Sequence, residues 1–272
     1  MTPPNSGRIA AFGLASLLVG FSLWHMFQFR VPFPFWDMIR VEAFLDDHFD
    51  RGWNLAGLAT ITQNEHRPVF PLLLWIADHA WFASTGVLVI VFDAALLAGI
   101  SVLWMGWMRS ATRPGSRRIA LMTAVAVVIF WPAQGENLTW PVQANSLFSL
   151  TALLTAIHAL LASERASADP QQRRRCLGWL ALTILLLFVA TYSLAFGLLG
   201  WPLFVCYLLL RRRPWWMIAP LATAGLGTVA PYAAFWVEVP HHAHALPSLL
   251  EPSSVAAYFF GLLGAPVHKL IE

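Results

Sequence analysis

The stretch TGVLVIVFDAALLAGISVLWMGWM, from Thr85 to Met108, decides the fold class of this chain. It holds one charged residue, Asp93, and exceeds the roughly 20 apolar residues that a helix needs to cross a bilayer core of about 30 Å. A backbone surrounded by lipid has to satisfy its hydrogen bonds internally, which favours a helix. We therefore predict a transmembrane helix here. Asp93 is expected to face protein, because a carboxylate inside a span costs about 2.5–3.5 kcal/mol.

The composition extends this prediction to the whole chain. Its 272 residues are 58% hydrophobic and 11% charged, with a mean hydropathy of +0.63. Soluble domains are about 45–50% apolar and about 25% charged. The basic residues form short clusters between apolar runs, so the net charge of +3 indicates no nucleic-acid partner. We predict an all-α, polytopic transmembrane bundle that forms one domain over residues 1–272.

Apolar runs place the individual helices. We predict spans at residues 9–28, 85–108, 119–131, 146–162, 177–190, 196–210 and 215–236, with a partial apolar segment at 254–265. The segment 66–83 is short, starts with Pro68 and Pro71, and ends near Asp78 and His79, which are costly in lipid. We favour a short or re-entrant helix for 66–83; the alternative is a full crossing with an external N-terminus.

Arginine clusters orient these spans. Clusters lie at 109–118, 165–175 and 211–213, and two spans separate each cluster from the next. Positive residues are enriched in cytoplasmic loops, so the three clusters are predicted to be cytoplasmic. The polar loop at 29–67 and the turn at 131–146 are then predicted to lie outside.

The first outer loop concentrates the titratable residues of the chain. Residues 33–71 read FPFWDMIRVEAFLDDHFDRGWNLAGLATITQNEHRPVFP. Within it, residues 41–50 place apolar side chains on one helical face and acidic side chains largely on the other, which predicts an amphipathic juxtamembrane helix. His48 has no neighbour at a clean metal-ligand spacing, and we assign no metal ligand.

Asp37 is the candidate catalytic residue of this loop. It follows Trp36, whose indole favours the membrane interface. A carboxylate at that depth can act as general base for an acceptor hydroxyl or amine. It can also hold a divalent cation that neutralises a phosphate leaving group. The alternative is an ordinary solvated aspartate.

Three further stretches supply candidate substrate-binding residues. Glu65, His66 and Arg67 precede the next apolar run, and Arg offers a rigid fork of donors to a phosphate; the alternative for Arg67 is an interfacial anchor that snorkels. Glu136 and Asn137 lie in a polar turn between two short spans, which predicts either a pocket wall or an ordinary outer loop. Tyr192 lies in a short outer turn. The turn either supplies a hydroxyl donor to the same pocket or only packs against neighbouring helices.

Several of these motifs resemble the GT-C superfamily of membrane glycosyltransferases, which includes protein O-mannosyltransferases and aminoarabinose transferases of lipid A. The matching features are Asp37 in FWD, the motif HRPVFP at 66–71, and a short helix followed by a long one between Val69 and Arg109. More closely, NEHR, PAQGENLTW and YSLAFGLLGWP resemble uncharacterised bacterial multi-pass proteins grouped with those enzymes. The resemblance implies a GT-C-like fold in a bacterial inner membrane and a polyprenyl-phosphate-linked sugar donor. It also implies that Asp37 is the base or positions the acceptor, and that His66 and Arg67 lie near the donor phosphate.

Two functions follow as hypotheses. The leading one is an integral-membrane glycosyltransferase that moves a sugar from a polyprenyl-phosphate donor to an acceptor on the extracytoplasmic face. The alternative is a non-enzymatic membrane subunit or lipid-carrier translocation component of cell-envelope assembly. Charge at mid-membrane depth is nearly limited to Asp93, which argues against an ion-coupled transporter. Membrane lipid is the expected surrounding partner, and the sequence makes no prediction of oligomeric state.

Overall fold

The structure is helical throughout its described part. The computed structural model describes residues 6–31, 39–52, 55–64, 66–131, 135–236 and 253. Its helices are α1 (Ser6–Gln28), α2 (Ile39–Arg51), α3 (Leu55–Thr60), α4 (Val69–Phe82), α5 (Val87–Ala111), α6 (Ser116–Ile129), α7 (Gly135–Thr139), α8 (Ala144–Ser167), α9 (Arg173–Thr191), α10 (Gly200–Leu210) and α11 (Trp215–Ala234). Short 3₁₀ turns lie at Pro141–Gln143, Pro170–Gln172 and Ala195–Leu199. Within these ranges no β-strand forms, so the prediction of an all-α protein is confirmed for them.

Four helical segments are long and apolar enough to cross a membrane. They are Val87–Ala111, Pro141–Ser167, Pro170–Thr191 and Trp215–Ala234. The prediction of a helical membrane protein is thereby confirmed, while the number of crossings stays a prediction. Helix α6 has 14 residues, or about 21 Å of length, and the apolar part of α1 covers Phe12–Gln28. The predicted partial segment at 254–265 lies outside the described residues.

Helix boundaries differ from the predicted spans where arginines flank them. Helix α8 continues to Ser167 and α9 begins at Arg173, so both include arginines that the span predictions left out. Arginine fits the end of a spanning helix because its aliphatic stem packs on apolar surface while the guanidinium reaches water. The predicted span at 196–210 is divided into a 3₁₀ turn and α10. A Cβ atom on Gly197 would lie 2.4 Å from the carbonyl carbon of Ala190, so that turn packs directly on the α9 backbone.

The largest hydrophobic cluster joins α8, α9, α10 and α11. Helices α8 and α9 run antiparallel: Ser149 Oγ donates to the Ala190 carbonyl at one end (3.0 Å), and Ser163 Oγ donates to the Cys176 carbonyl at the other (3.0 Å). The buried members include Leu160, Leu180, Leu187, Trp201, Phe204, Leu208, Met217 and Leu221. A second cluster joins α2 to α4, α5 and α8. In α2, Val41 and Leu45 are buried while Asp46 and Asp50 are exposed.

The helix ends separate into two chemically different ends of the bundle. The arginine end comprises the C-terminal ends of α5, α8 and α10 and the N-terminal ends of α6, α9 and α11. It carries Arg109, Arg113, Arg117, Arg118, Arg165, Arg173, Arg174, Arg175, Arg211, Arg212 and Arg213. Hydrogen bonds join these helices: Arg118 Nη2 donates to the Arg109 carbonyl (2.9 Å), and Arg213 Nε donates to Glu164 Oε1 (2.5 Å).

The polar end comprises the opposite helix termini, together with α2, α3, α4 and α7. Its parts are also joined directly. The Val31 N–H donates to the Thr139 carbonyl (2.9 Å), linking the end of α1 to α7. The Phe92 and Phe148 rings stack with centroids 5.3 Å apart, so the N-terminal halves of α5 and α8 lie side by side. The Trp201 indole donates to Thr191 Oγ1 (3.0 Å), linking the start of α10 to the end of α9.

Candidate functional site

Helix α4 runs along the polar end, because both of its ends are attached there. At its start, the Phe70 N–H donates to the Tyr192 carbonyl just beyond α9 (3.3 Å). Near its end, the two Asp78 carboxylate oxygens accept from the N–H groups of Gly86 and Leu88, each at 2.8 Å. The termini of α9 and α5 that receive these contacts both belong to the polar end. The predicted short segment at 66–83 thus contains a helix of 14 residues, and its re-entry into lipid stays a prediction.

Asp78 caps the N-terminus of α5 from a neighbouring helix. The first N–H groups of a helix have no partner within it, and its N-terminus carries partial positive charge. A carboxylate placed there accepts hydrogen bonds from those N–H groups and balances the partial positive charge. This explains how Asp78, only 3% exposed, is retained in an otherwise apolar helix. The sequence alone indicated only that Asp78 is costly in lipid.

The turn before α4 is held by a small polar network. Gln63 and His66 exchange two backbone hydrogen bonds of 3.0 and 2.9 Å, with Asn64 between them at a φ of 52°. Asn145 Nδ2, at the start of α8, donates to Gln63 Oε1 (2.7 Å). His66 Nδ1 accepts from the Ala195 N–H (3.4 Å). Gln63 is therefore tied to α8, and His66 is tied to the 3₁₀ turn that follows α9.

Arg67 is buried at the point where this turn meets the end of α11. Its side chain donates to the Phe235 carbonyl. The guanidinium carbon lies 5.4 Å from the Tyr232 ring centroid and 5.8 Å from that of Phe235, within the range of a cation–π contact. The residue is 4% exposed. Arg67 is therefore not a snorkelling anchor; it is enclosed by aromatic groups of α11.

A cleft of about 330 Å³ opens beside this arginine; we call it the polar-end cleft. Its lining is mainly apolar and comes from α3, α4, α9 and α11. The lining residues are Leu58, Thr60, Arg67, Val69, Phe188, Tyr192, Pro231 and Phe235.

Tyr192 supplies a phenol to the wall of the cleft. Its ring lies 4.7 Å from that of Phe188 and 5.8 Å from that of Tyr232, measured between centroids. Burial raises the pKa of the Tyr192 phenol above its ordinary value, and the nearby Arg67 charge acts in the opposite direction. The phenol is therefore neutral at physiological pH and able to donate a hydrogen bond.

The structure brings together part of the predicted site. His66, Arg67 and Tyr192 meet at or beside the cleft. Glu136 and Asn137 lie in α7, which packs on α1 and α5. Trp36, Asp37 and Glu65 lie outside the described residues, so their place at the site stays a prediction.

The lining residues that sequence reasoning missed include aromatic and proline residues from the ends of α9 and α11, namely Phe188, Pro231 and Phe235. Aromatic residues at the end of a span are typical of an interfacial belt. Their position in the sequence therefore did not distinguish them as cleft residues.

A metal site would need several donor side chains close together. Within the residues that the structure describes, no three His, Cys, Asp or Glu side chains gather in that way. Asp37, the residue at which the sequence allows a divalent cation, lies outside the described residues. A cation at Asp37 stays a prediction.

Comparison with known proteins adds no assignment to this geometry. No family model, no curated protein and no solved structure matches the chain.

Proposed function

We propose that this chain is an integral-membrane glycosyltransferase of the GT-C type, acting at the extracytoplasmic face of a bacterial inner membrane. It takes a sugar from a polyprenyl-phosphate donor. The observation that carries the proposal is the polar-end cleft, whose mostly apolar lining includes the guanidinium of Arg67. An apolar chain with a phosphate at one end is the ligand chemistry that such a lining complements.

The orientation follows from the arginine end. Lys and Arg near the ends of spanning helices favour the cytoplasmic side. Eleven arginines lie at that end, and the acidic residues described there are Glu164 and Asp169. The polar-end cleft then opens on the opposite side, where a lipid-linked sugar is presented after crossing the membrane.

The size and chemistry of the cleft support a lipid-phosphate ligand. Its volume of about 330 Å³ is at the lower end of the range for small-molecule pockets, about 300–1,000 Å³. The Arg67 charge attracts a phosphate diester, and in an apolar surrounding that attraction is stronger than in water. The neutral Tyr192 phenol donates to a phosphate oxygen. Val69, Phe188 and Pro231 contact the first isoprene units.

The proposed reaction assigns Asp37 the role of catalytic base. An acceptor hydroxyl oxygen attacks the anomeric carbon of the donor sugar. The bond between that carbon and the phosphate oxygen breaks, and polyprenyl phosphate leaves as an anion. The hydroxyl proton passes to the Asp37 carboxylate. Arg67 stabilises the charge that develops on the leaving phosphate.

Reconstituted chain tests this proposal in two steps. Binding of a short-chain polyprenyl phosphate is measured first, for the unaltered chain, Arg67→Met, Arg67→Lys and the control Arg51→Met. Arg51 is a suitable control because its side chain is 81% exposed and pairs with Asp47. We expect Arg67→Met to weaken binding at least tenfold, on the order of 1.4 kcal/mol, and Arg67→Lys to restore part of it. Equal binding by Arg67→Met and Arg51→Met would reject the site.

The second step measures release of polyprenyl phosphate from a panel of polyprenyl-phosphate sugars in the presence of a panel of hydroxyl-bearing acceptors, because the transferred sugar needs an acceptor oxygen. Asp37→Asn is expected to lower turnover by about 10²–10⁴-fold, the usual contribution of a general base, with donor binding unchanged. A chain in which Asp37→Asn turns over donor at the unaltered rate contradicts the assigned base.

One observation favours the non-enzymatic alternative, a lipid-carrier translocation component. Among the described contacts of Arg67, the Phe235 carbonyl and the Tyr232 ring at the end of α11 position the guanidinium beside the cleft, and positioning alone is sufficient for lipid binding without sugar transfer. Lipid-phosphate binding that depends on Arg67, with no donor cleaved from the panel, would favour this alternative.

A further inference from the structure

We propose a second lipid site at the opposite end of the bundle: a groove between α8 and α10 that binds one anionic phospholipid. We call it the arginine-end groove. It has a volume of about 210 Å³ and is lined by Ile157, Leu160, Leu161, Leu203, Phe204 and Tyr207. This site is independent of the proposed transferase activity and of the polar-end cleft.

The groove is suited to an acyl chain. Five of its six lining residues are wholly apolar, and the sixth, Tyr207, presents an aromatic ring with its hydroxyl engaged elsewhere. Leu203 is 63% exposed and lies on the outer surface of α10. Both helices run toward the arginine end, so the groove leads directly to the arginines of that end.

Each lining helix carries an arginine one turn beyond the groove. On α8, Arg165 follows Leu161 by four residues, and on α10, Arg211 follows Tyr207 by four residues. Side chains four positions apart lie one above the other on a helix surface. Both arginines are exposed. The geometry therefore places two guanidinium groups at the mouth of an apolar groove, where a lipid headgroup would lie.

The only acidic group described beside the groove is already neutralised by the protein. Glu164 is buried. Its carboxylate accepts hydrogen bonds from Arg213 Nε at 2.5 Å and from the Tyr207 hydroxyl at 2.6 Å. Arg211 Nε lies farther from the same carboxylate, at 3.8 Å, and its side chain is 59% exposed. The carboxylate therefore offsets the inner arginine, and the outer surface of the groove stays positive.

Charge complementarity selects the occupant. Juxtamembrane arginines attract anionic lipids, with about 1 kcal/mol for each residue near the surface, or about a fivefold preference. Guanidinium forks also bind phosphate oxygens with two donors at once. A phospholipid with a net negative headgroup, such as phosphatidylglycerol, satisfies the arginines and the groove together. Phosphatidylcholine fills the groove equally well but has no net charge for Arg165 and Arg211.

The test compares lipid binding by matched double variants of the full chain. Purified chain is titrated with phosphatidylglycerol or phosphatidylcholine in micelles, and retained lipid is counted by native mass spectrometry. Arg165→Gln/Arg211→Gln removes the two proposed headgroup ligands. Arg117→Gln/Arg174→Gln removes two exposed arginines from the same end but away from the groove. We expect the first pair to lower phosphatidylglycerol affinity by at least tenfold and the second by less than twofold.

A bulk substitution tests the groove separately from the charges. Leu203→Trp fills the groove, whereas Leu199→Trp adds the same bulk at a residue that is 62% exposed and outside the lining. We expect only Leu203→Trp to abolish tight retention of phosphatidylglycerol. Equal effects of the two arginine pairs would reduce the site to general electrostatic attraction and overturn the proposal. A dimer that Leu203→Trp dissociates would assign the groove to a second copy of the chain, which also overturns it.

Discussion

Glu164 at the arginine end and Arg67 at the polar end are both buried, and they are held in different ways. At the arginine end, Glu164 is fixed by an opposite charge, Arg213, and by the Tyr207 hydroxyl. At the polar end, the described contacts of Arg67 include the Phe235 carbonyl and two aromatic rings, which carry no formal charge. A buried ion pair locks neighbouring helices together. The described contacts of Arg67 hold its guanidinium beside the polar-end cleft. Under the proposed function, the arginine end is structural and the polar end binds the lipid phosphate.

Packing near the polar end provides the largest test of this framework. Gly197→Ala places a Cβ atom 2.4–2.5 Å from backbone atoms of Ala190 and Thr191, and backbone has little room to move. Overpacking usually costs about 1–3 kcal/mol. Because backbone atoms are in the way here, we expect the free energy of unfolding to fall by about 3 kcal/mol or more. The measurement is equilibrium unfolding in mixed micelles.

Gly178→Ala is the control for that substitution. A Cβ atom at Gly178, in the exposed part of α9, meets nothing within 4 Å. Alanine is the better helix former by roughly 0.5–1 kcal/mol, so this variant should be slightly more stable. Equal stability of the two variants would show that the 3₁₀ turn does not pack on α9.

Removal of the Glu164 carboxylate tests the structural role of the arginine end. Glu164→Gln leaves Arg213 and the Tyr207 hydroxyl without a charged acceptor. We expect a loss of about 1.5–3 kcal/mol, the worth of hydrogen bonds to a charged group. Lipid-phosphate binding at the polar-end cleft should be unchanged. If fully folded Glu164→Gln binds lipid phosphate more weakly than the unaltered chain, the two ends are not independent.

The Asp78 cap should contribute less than Glu164. Asp78→Ala leaves the Gly86 and Leu88 N–H groups without their acceptor, at a cost of about 0.5–2 kcal/mol for a lost helix cap. Asp46→Ala, at an exposed position of α2, should change stability by no more than about 0.5 kcal/mol. Comparable losses in both variants would mean that the attachment of α4 to α5 contributes nothing.

The coupling between Arg67 and Tyr192 provides the smallest expected effect. Burial raises the pKa of the Tyr192 phenol above 10.0, and the Arg67 charge lowers it. The stability that depends on the neutral phenol is fully present below the ordinary pKa and is lost as pH rises through the raised pKa. Arg67→Gln should shift the ionisation of Tyr192 to still higher pH. Phenol absorbance is titrated with pH in the unaltered chain and in Arg67→Gln. Tyr192→Phe, made in each of these two chains, identifies the signal of Tyr192. A shift of that signal to lower pH in Arg67→Gln contradicts the contact.

The sequence predicted the elements that depend on local hydrophobicity. The predicted span at 85–108 nearly coincides with α5. A long apolar run in lipid has to satisfy its backbone hydrogen bonds internally, and a helix does so within one segment. The arginine clusters likewise predicted that one end of the bundle would be basic. The α5 span and the basic end of the bundle were predictable because each depends on residues that are adjacent in the sequence.

Features that depend on distant partners were not predictable. Arg67 is enclosed because Phe235, 168 residues away, supplies its carbonyl. Nothing near Gly197 in the sequence indicates that its turn contacts the α9 backbone. The sequence placed Glu136 in either a pocket wall or an ordinary outer loop, and it did not indicate that α7 packs against α1 and α5. A polar turn between two spans indicates the membrane side on which it lies, but not which helices it contacts there.

Photolabelling with a diazirine-bearing short-chain polyprenyl phosphate tests the central claim most directly, because it reports where on the chain the lipid phosphate binds. Labelled peptides from the reconstituted chain are mapped by mass spectrometry, with and without excess polyprenyl phosphate. The account predicts competable labels within 188–192 and 231–235, lost in Arg67→Met and retained in Arg51→Met. Labels spread over the exposed apolar faces of the helices, unaffected by either competitor or Arg67→Met, would contradict it.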